Sequence, residues 1–381
     1  MKIAIVHDYF IQMGGAEKVA EELHAIFPSS TMITTVDIRR TPGTVTSWMR
    51  YLPITERNHR LFFLLFPLAV ETLDLTEYDL IISSSSGYAK GIKKRKDAVH
   101  ICYCHTPMRW VWRYAEYAER ENFGALTGSV LPLLLSLLKK WDLVAATRPD
   151  YYIANSNVVA ERIRSFYGRE SVVIPPPIDT ARFAGVGPDG DFYLILSRLA
   201  SYKRLDIAIE ACKQLDRRLI VIGDGPARDD LELIAGPKTQ FLGRQEDQVV
   251  AEYARSCKAL IFPGEEDFGM TPVEINAAGR PVIAFKGGGA TETVIEGKTG
   301  VFFDQQTPDS LKTAIQNFEL MSWDRQELIK HAMQFGREVF SSSMRQFVDS
   351  VALGAEQKRA ISGKVRSSVF LSDTASAVTE P

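Results

Sequence analysis

Two glutamates stand eight positions apart in Glu266-Asp267-Phe268-Gly269-Met270-Thr271-Pro272-Val273-Glu274. An apolar run ends at Pro263, and helical spacing begins near Thr271 or Pro272. Proline suits a first helical turn, where its missing N–H needs no partner. The unsatisfied N–H groups of such a turn, together with the helix dipole, attract an anion such as a phosphate. Gly269 lets the backbone approach a ligand closely. Two carboxylates therefore flank a phosphate-binding turn. One can hold the hydroxyls of a sugar, and the other can accept hydrogen bonds from a ribose. Glutamates at this distance are common on protein surfaces, so the spacing alone says little. The Phe-Gly-Met and Pro-x-Glu context at a loop-to-helix junction is what points to a site.

Two cations join them. Arg198 and Lys203 follow the apolar run Phe192–Leu196, where a strand would end. A leaving nucleoside diphosphate gathers negative charge on its β-phosphate, and fixed cations and backbone N–H groups aimed at that charge lower the barrier. In isolation such residues read as solvated loop cations; the neighbouring carboxylates and turn shift the reading toward a diphosphate site. This arrangement requires no metal, and no Asp-x-Asp pair sits in a suitable strand-end context. Cys102, Cys104 and His105 lack zinc-knuckle spacing and have no second Cys/His pair, so they read as ordinary strand residues. His105 follows the strand Val99–Cys104 just before Pro107, a place that suits a cleft.

The elements that must position these groups alternate. Ile3–Val6 is a strand, Gly14-Gly15 a loop, and Val19, Leu23, Ile26 and Phe27 have helical spacing. Leu80–Ser83, Val99–Cys102 and Tyr151–Ala154 are further strands, with helical patterns at Trp110–Glu119 and Val158–Tyr167. Three successive prolines at Pro175–Pro177 exclude a helix or a central strand, so Val172–Asp179 reads as a stiff extended connector. Alternation then restarts with strands at Phe192–Leu196, Leu219–Ile222, Gln240–Leu242, Ala259–Pro263 and Pro281–Phe285, and helices at Leu205–Leu215 and Thr271–Ala278. Such alternation implies an α/β chain of two doubly wound, Rossmann-like domains. Ligands are then expected at the carboxyl ends of the strands, in the cleft between the domains. The boundaries read as 1–177, 178–360, and a disordered tail over 361–381 that is rich in Ser, Thr and Ala.

The 381 residues suit two domains. A net charge of −2 supplies no basic field for nucleic acid. Four cysteines at scattered positions suggest a reduced, cytoplasmic protein. The N-terminus lacks the charged and apolar regions of a signal peptide, and the runs Leu61–Val70 and Val130–Leu138 are too short to cross a bilayer. The leucines and phenylalanines of Arg57–Val70, the basic run Lys93-Lys94-Arg95-Lys96, and Lys139 and Lys140 beside the leucines of Val130–Lys140 combine apolar and basic surface. That combination can seat a protein on an anionic membrane surface.

Taken in order, these motifs resemble those of retaining GT-B glycosyltransferases of family 4, whose signature is E-x(7)-E. The likeness runs to about residue 350. Gly14-Gly15-Ala16-Glu17 resembles the glycine loop near the donor diphosphate. Ser197-Arg198-Leu199 with Tyr202-Lys203-Arg204 resembles the G-R-L…K-G segment, with Ser197 and Arg204 in place of its two glycines. Gly223-Asp224-Gly225-Pro226 resembles the turn near the nucleoside, and Phe241-Leu242-Gly243-Arg244 the loop beside the base. Gly287-Gly288-Gly289-Ala290-Thr291-Glu292 and Gly297-Lys298-Thr299-Gly300 resemble the closing motifs. The resemblance implies that Gly14, Gly15, Arg198, Lys203, Gly225, Arg244, Phe268, Gly269, Met270, Thr271 and Glu274 bind the donor. It gives His105 a role in positioning the sugar and supporting the transition state. Glu266 is the carboxylate to test as nucleophile, a role ranked below hydroxyl binding, because same-face attack needs no enzyme nucleophile.

Asp8-Tyr9, His105-Thr106-Pro107-Met108-Arg109-Trp110 and Ala154-Asn155-Ser156 narrow the resemblance to bacterial mannosyltransferases of surface-polysaccharide assembly. GDP-mannose is then the expected donor, without a separate cofactor, and a lipid-linked (polyprenyl-diphosphate) oligosaccharide the expected acceptor. The enzyme would sit peripherally at the inner face of the cytoplasmic membrane. A UDP-sugar donor such as UDP-glucose is the alternative within the fold. A non-catalytic sugar-nucleotide binding protein is the alternative from another class, opposed by the joint presence of Glu266, Lys203, Arg198 and His105. A Rossmann oxidoreductase fails because no G-x-G-x-x-G follows the first strand.

Overall fold

The first strand, β1 (Ile3–His7), is completely buried and feeds the helix Gly15–Ile26 through the glycine loop. Glu17 starts that helix by reaching back to Gly14 N (2.5 Å) and Ile11 N (3.0 Å). Its side chain thereby satisfies amides that precede the first turn. Val19, Leu23 and Ile26 line the buried face of this helix, as their spacing predicts, joined by Ala20; Phe27 falls at the helix C-cap and is only partly buried. The computed structural model describes residues 1–11, 14–56, 58–112 and 131–353.

Six more strands complete the first sheet: β2 (Thr31–Thr34), β3 (Val45–Thr46), β4 (Leu80–Ser85), β5 (Val99–Cys104), β6 (Tyr151–Ala154) and β7 (Val172–Val173). They lie in the order β3-β2-β1-β4-β5-β6-β7, and every pairing is parallel. The second sheet holds β8 (Tyr193–Leu196), β9 (Leu219–Ile222), β10 (Thr239–Gly243), β11 (Ala259–Phe262), β12 (Val282–Phe285) and β13 (Gly300–Phe303). Its order is β10-β9-β8-β11-β12-β13, again all parallel. In both sheets the strand order reverses beside the first strand of the set, which opens a crevice at the carboxyl ends.

Alternation along β8 to β12 explains why the second sheet is covered on both faces. Leu194, Ile220, Leu260, Val282 and Ala284 join one buried cluster, while Tyr193, Ile195, Val221, Ile261 and Ile283 join another. Replacing Ile283 by Ala would cost about 2–5 kcal/mol through lost transfer energy and a residual cavity.

The sequence reading missed β2, β3 and β13, and it treated Val172–Val173 as connector. These two residues pair with Ile153 and Ala154 as a two-residue edge strand before the prolines begin. Pro175–Pro177 then run between the sheets outside regular structure. Residues Met1–Phe340 form one compact unit that contains both sheets; of the residues that follow it, 341–353 are described and are helical. The expected tail 361–381 and the expected helix beyond Trp112 lie outside the described residues.

Candidate functional site

The signature segment forms where β11 ends. Gly269 adopts a left-handed conformation (φ 84°) and caps the helix Met270–Ala277 without a side chain of its own. Any other L-residue is strained in that conformation. The helix starts one residue earlier than expected, so Pro272 is its third residue, still within the first turn. A second tight approach shapes the loop from behind: a Cβ on Gly289 would lie 2.3 Å from Phe268 Cα, and Gly289 N donates to Glu266 O at 2.7 Å.

The two glutamates have different surroundings. Glu266 pairs with Lys203 Nζ. Burial alone lowers the affinity of Lys203 for its proton, but the Glu266 carboxylate more than offsets this and holds the ammonium above its ordinary pKa. Glu274 lies half-buried on the helix, and its carboxylate makes no hydrogen bond or ion pair with the described residues. Burial pushes its carboxyl above the usual range, moderated by the more distant Lys18 and Arg182. Its acceptor oxygens therefore remain available to donors from a ligand.

The glycine loop faces this turn directly. A Cβ on Gly15 would lie 2.8 Å from Met270 Sδ. Arg198 follows β8 on the exposed side, and the turn Gly223–Pro226 packs against it. Leu199 N donates to Asp224 O (3.0 Å), and Ala227 N donates to Leu199 O (3.0 Å). The same packing puts a Cβ on Gly225 2.3 Å from Leu199 O, so Gly225 and Arg198 share one edge. Thr271 is half-buried in the first helical turn. Phe268 is only 4% exposed and meets Phe335 edge-on, so its side chain belongs to the core. Arg244 stands apart on an exposed loop, where it reaches Glu56 of the first domain at 3.5 Å.

His105 sits just past the end of β5 and is 8% exposed. Its Nε2 lies 2.8 Å from Ser84 Oγ. Burial is the main reason its pKa falls to about 3, with His7 lowering it and Asp267 opposing. The imidazole is neutral at ordinary pH.

Several residues at this site were quoted in sequence motifs without a role, or missed altogether. Asp267, beside Glu266, binds Arg109 of the first domain (Nη2–Oδ1 2.5 Å) and also Arg162. Burial would raise its carboxyl pKa, but the two guanidiniums hold it below the ordinary value. Ser156 Oγ donates to Asp267 O at 2.6 Å, and Arg162 Nη2 meets Glu265 at 3.2 Å. Glu292 accepts from Asn157 N (2.8 Å), Asn157 Nδ2 (2.7 Å) and Val158 N (2.9 Å), at the start of the helix Asn157–Tyr167. A carboxylate from one domain thus satisfies the orphan amides of a helix in the other. Only the charged types at Asp267, Arg109, Arg162 and Glu292 hinted at this in the sequence.

All four cysteines are free and buried. Among the described residues no group of three or more His, Cys, Asp or Glu is placed to hold a metal ion.

Two parallel-sheet Rossmann-like domains, with the glycine loop of one against the Gly269–Met270 turn of the other, have the architecture of the GT-B class of fold. Residues 13–182 match the family described as Glycosyltransferase Family 4, and residues 179–335 match Glycosyl transferases group 1. The chain has the GT-B fold of the group 1 and family 4 glycosyltransferases. It is 31% identical over 199 residues to an uncharacterized glycosyltransferase of Methanocaldococcus jannaschii, covering 51% of this chain and 55% of that one. It is 29% identical over 227 residues to the GDP-mannose-dependent alpha-(1-6)-phosphatidylinositol monomannoside mannosyltransferase of Mycolicibacterium smegmatis, covering 49% and 56%. The chain therefore spans about half the length of these curated relatives. Among solved structures, sucrose-phosphate synthase from Thermosynechococcus elongatus superposes with a TM-score of 0.71 at 16% identity, over 93% of this chain and 100% of that one. HepE from Anabaena in complex with UDP superposes with a TM-score of 0.66 at 17% identity, over 92% and 100%. These structural likenesses show the fold.

Proposed function

We propose that the protein is a retaining glycosyltransferase that moves mannose from GDP-mannose to a lipid-linked (polyprenyl-diphosphate) oligosaccharide in surface-polysaccharide assembly. One observation carries the reading: the Glu266–Glu274 turn, its Lys203 partner and the Gly14-Gly15 loop converge on one stretch of cleft. In this reading the donor diphosphate rests on the N–H groups of Met270 and Thr271, with Arg198 and Lys203 as counter-charges. These supply the leaving-group stabilisation without a metal. Glu274 accepts from the ribose hydroxyls, and Glu266 from the sugar. The acceptor attacks from the face the phosphate leaves, and the departing phosphate takes the acceptor proton.

The mannose donor draws support from the GDP-mannose-dependent relative. A UDP-sugar is the second reading, favoured by the fold's likeness to HepE, which is described in complex with UDP. An anionic membrane surface at the inner face of the cytoplasmic membrane is the proposed seat. Leu61, Leu64 and Leu68 of the first domain are exposed, as are Leu133, Leu137 and Val144 along one face of the helix Leu131–Ala145. Lys139 and Lys140 lie on the same helix and add positive charge. No helix among the described residues is long and apolar enough to cross a membrane.

The test is a hydrolysis and binding screen of GDP-mannose, UDP-glucose, UDP-galactose and UDP-GlcNAc. GDP-mannose should be bound and turned over in preference. Preference for any uridine donor would replace the donor assignment by the second reading.

A further inference from the structure

Behind His105 lies a buried chain of hydrogen bonds that the proposed reaction does not use. His7, the last residue of β1, is 3% exposed, and Ser84 of β4 is fully buried. His7 Nδ1 lies 3.1 Å from Ser84 O and 3.1 Å from Ser84 Oγ. Ser84 Oγ in turn lies 2.8 Å from His105 Nε2. The parallel register pairs His7 with Ser84 across neighbouring strands, so the backbone itself holds this geometry.

The proton positions follow from one group. A backbone carbonyl oxygen can only accept, so the His7 nitrogen that faces Ser84 O must carry hydrogen. His7 Nδ1–H is then shared between Ser84 O and Ser84 Oγ. The Ser84 hydroxyl, already accepting, turns its own proton to His105 Nε2. His105 Nε2 is therefore the acceptor of its ring, and the single proton of the neutral imidazole resides on Nδ1. The opposite arrangement would aim the bare lone pair of His7 Nδ1 at the Ser84 carbonyl.

The ring is also held in place. His105 N donates to Ser85 O (2.9 Å), Asn155 Nδ2 donates to His105 O (3.0 Å), and Tyr103 meets the imidazole edge-on at 5.2 Å. Nδ1 makes no hydrogen bond with the described residues, yet it is not among the sealed polar atoms left without a partner. It presents its N–H at the carboxyl end of β5, close enough to feel the charge of Asp267 in the facing domain.

We infer that His7 and Ser84 are positioning residues that fix His105 as its Nδ1–H tautomer, so that His105 meets the substrate as a hydrogen-bond donor and not as a general base. The inference rests on the glycosyl-transfer reading for the identity of what His105 touches. An Nδ1–H donor suits a hydroxyl or ring oxygen of the transferred sugar. Its one basic lone pair, on Nε2, is occupied by Ser84 inside the protein and has no path to an acceptor hydroxyl.

The experiment is ¹⁵N NMR of the histidine-labelled full chain, paired with steady-state kinetics. Correlation of the ring nitrogens with the ring carbons separates the two neutral tautomers. The wild-type His105 should show a protonated Nδ1. Ser84→Ala and His7→Leu should give mixed tautomers and lower kcat on the order of tenfold or more, with KM for the donor little changed. His7→Asn, whose side-chain amide returns an N–H near the Nδ1 position, should restore both the tautomer and turnover. A protonated Nε2 in the wild type would overturn the inference. So would a tautomer and kcat that Ser84→Ala leaves unaltered. The spectrum reads the tautomer without turnover, so a protein that transfers no sugar would sink the functional reading and leave the proton assignment to be judged by itself.

Discussion

Arg109 Nη2 stands 2.5 Å from Asp267 Oδ1, which joins the segment after His105 to the loop that carries Glu266. The contact bridges the two domains, and Arg162 meets the same carboxylate oxygen from a second helix. Both arginines are largely buried, at 24% and 12% side-chain exposure. Removing one partner from such a cluster leaves an uncompensated charge, which costs far more than a surface pair would.

Asp267→Asn should therefore loosen the cleft. The two arginines lose their shared counter-charge and repel one another. We expect a larger radius of gyration by small-angle scattering, and a fall in turnover on the order of a hundredfold as the loop that carries Glu266 drifts from the first domain. An unchanged scattering profile with full activity would remove the bridge from the account.

Glu266→Gln separates binding from transfer. Glu266 holds Lys203, and a phosphate arriving at Lys203 must compete with that carboxylate. The pair is as buried as the arginine cluster, at 13% and 26% side-chain exposure, so removing the competing carboxylate charge should let free nucleoside diphosphate bind severalfold tighter to the variant. Sugar transfer should nevertheless fall sharply, because the sugar hydroxyls lose their acceptor. Calorimetry with GDP beside a transfer assay reads both effects.

The pH dependence of stability follows from buried histidines. Burial holds His100 at about 3, and His105 at about 3. Unfolded histidine titrates near 6.5, so between roughly pH 3 and pH 6.5 the unfolded chain binds more protons. Stability from these groups is complete above about pH 6.5 and is lost as pH falls toward 3. At pH 5 the loss should reach about 2 kcal/mol per histidine. Urea denaturation at pH 7 and pH 5, repeated with His100→Gln, would show whether the acid sensitivity shrinks as expected.

Asp142→Asn should weaken the first domain. Asp142 and Lys90 form a pair at 2.5 Å with 0% and 1% side-chain exposure. Asp142 also accepts from Trp112 Nε1 (2.7 Å) and Tyr167 OH (2.8 Å). Neutralising it strands the Lys90 ammonium, at a cost of about 3–5 kcal/mol. Because Trp112 lies on the helix that begins at Arg109, the change should also loosen Arg109, visible in tryptophan fluorescence and in denaturant midpoint.

Much of this architecture can be read along the chain. Strands such as Leu219–Ile222 are continuous apolar runs because both faces of a parallel sheet are covered. Gly269 and Pro272 announce a helix start through backbone chemistry that is local. Val45–Thr46 and Val172–Val173 escape because two residues show no period. The motif suggests that Phe268 contacts the donor, yet its side chain turns into the core; a motif does not say which way a side chain points. The pairing of Lys203 with Glu266, the bridge from Arg109 and Arg162 to Asp267, and the Glu292 cap on Asn157 escape for another reason. Each joins residues that only the folded topology brings together. His7 and Ser84 look like ordinary strand residues until the register places them opposite one another.

The most direct test of the account is calorimetric titration of GDP-mannose into the full chain, wild type beside Lys203→Ala and Glu274→Ala. Saturable binding to the wild type is expected, with affinity at least about tenfold weaker in both variants, since each removes a charge-assisted contact worth about 1.5–3 kcal/mol. Equal affinity in all three proteins, or no binding of GDP-mannose or any uridine sugar to the wild type, would contradict it.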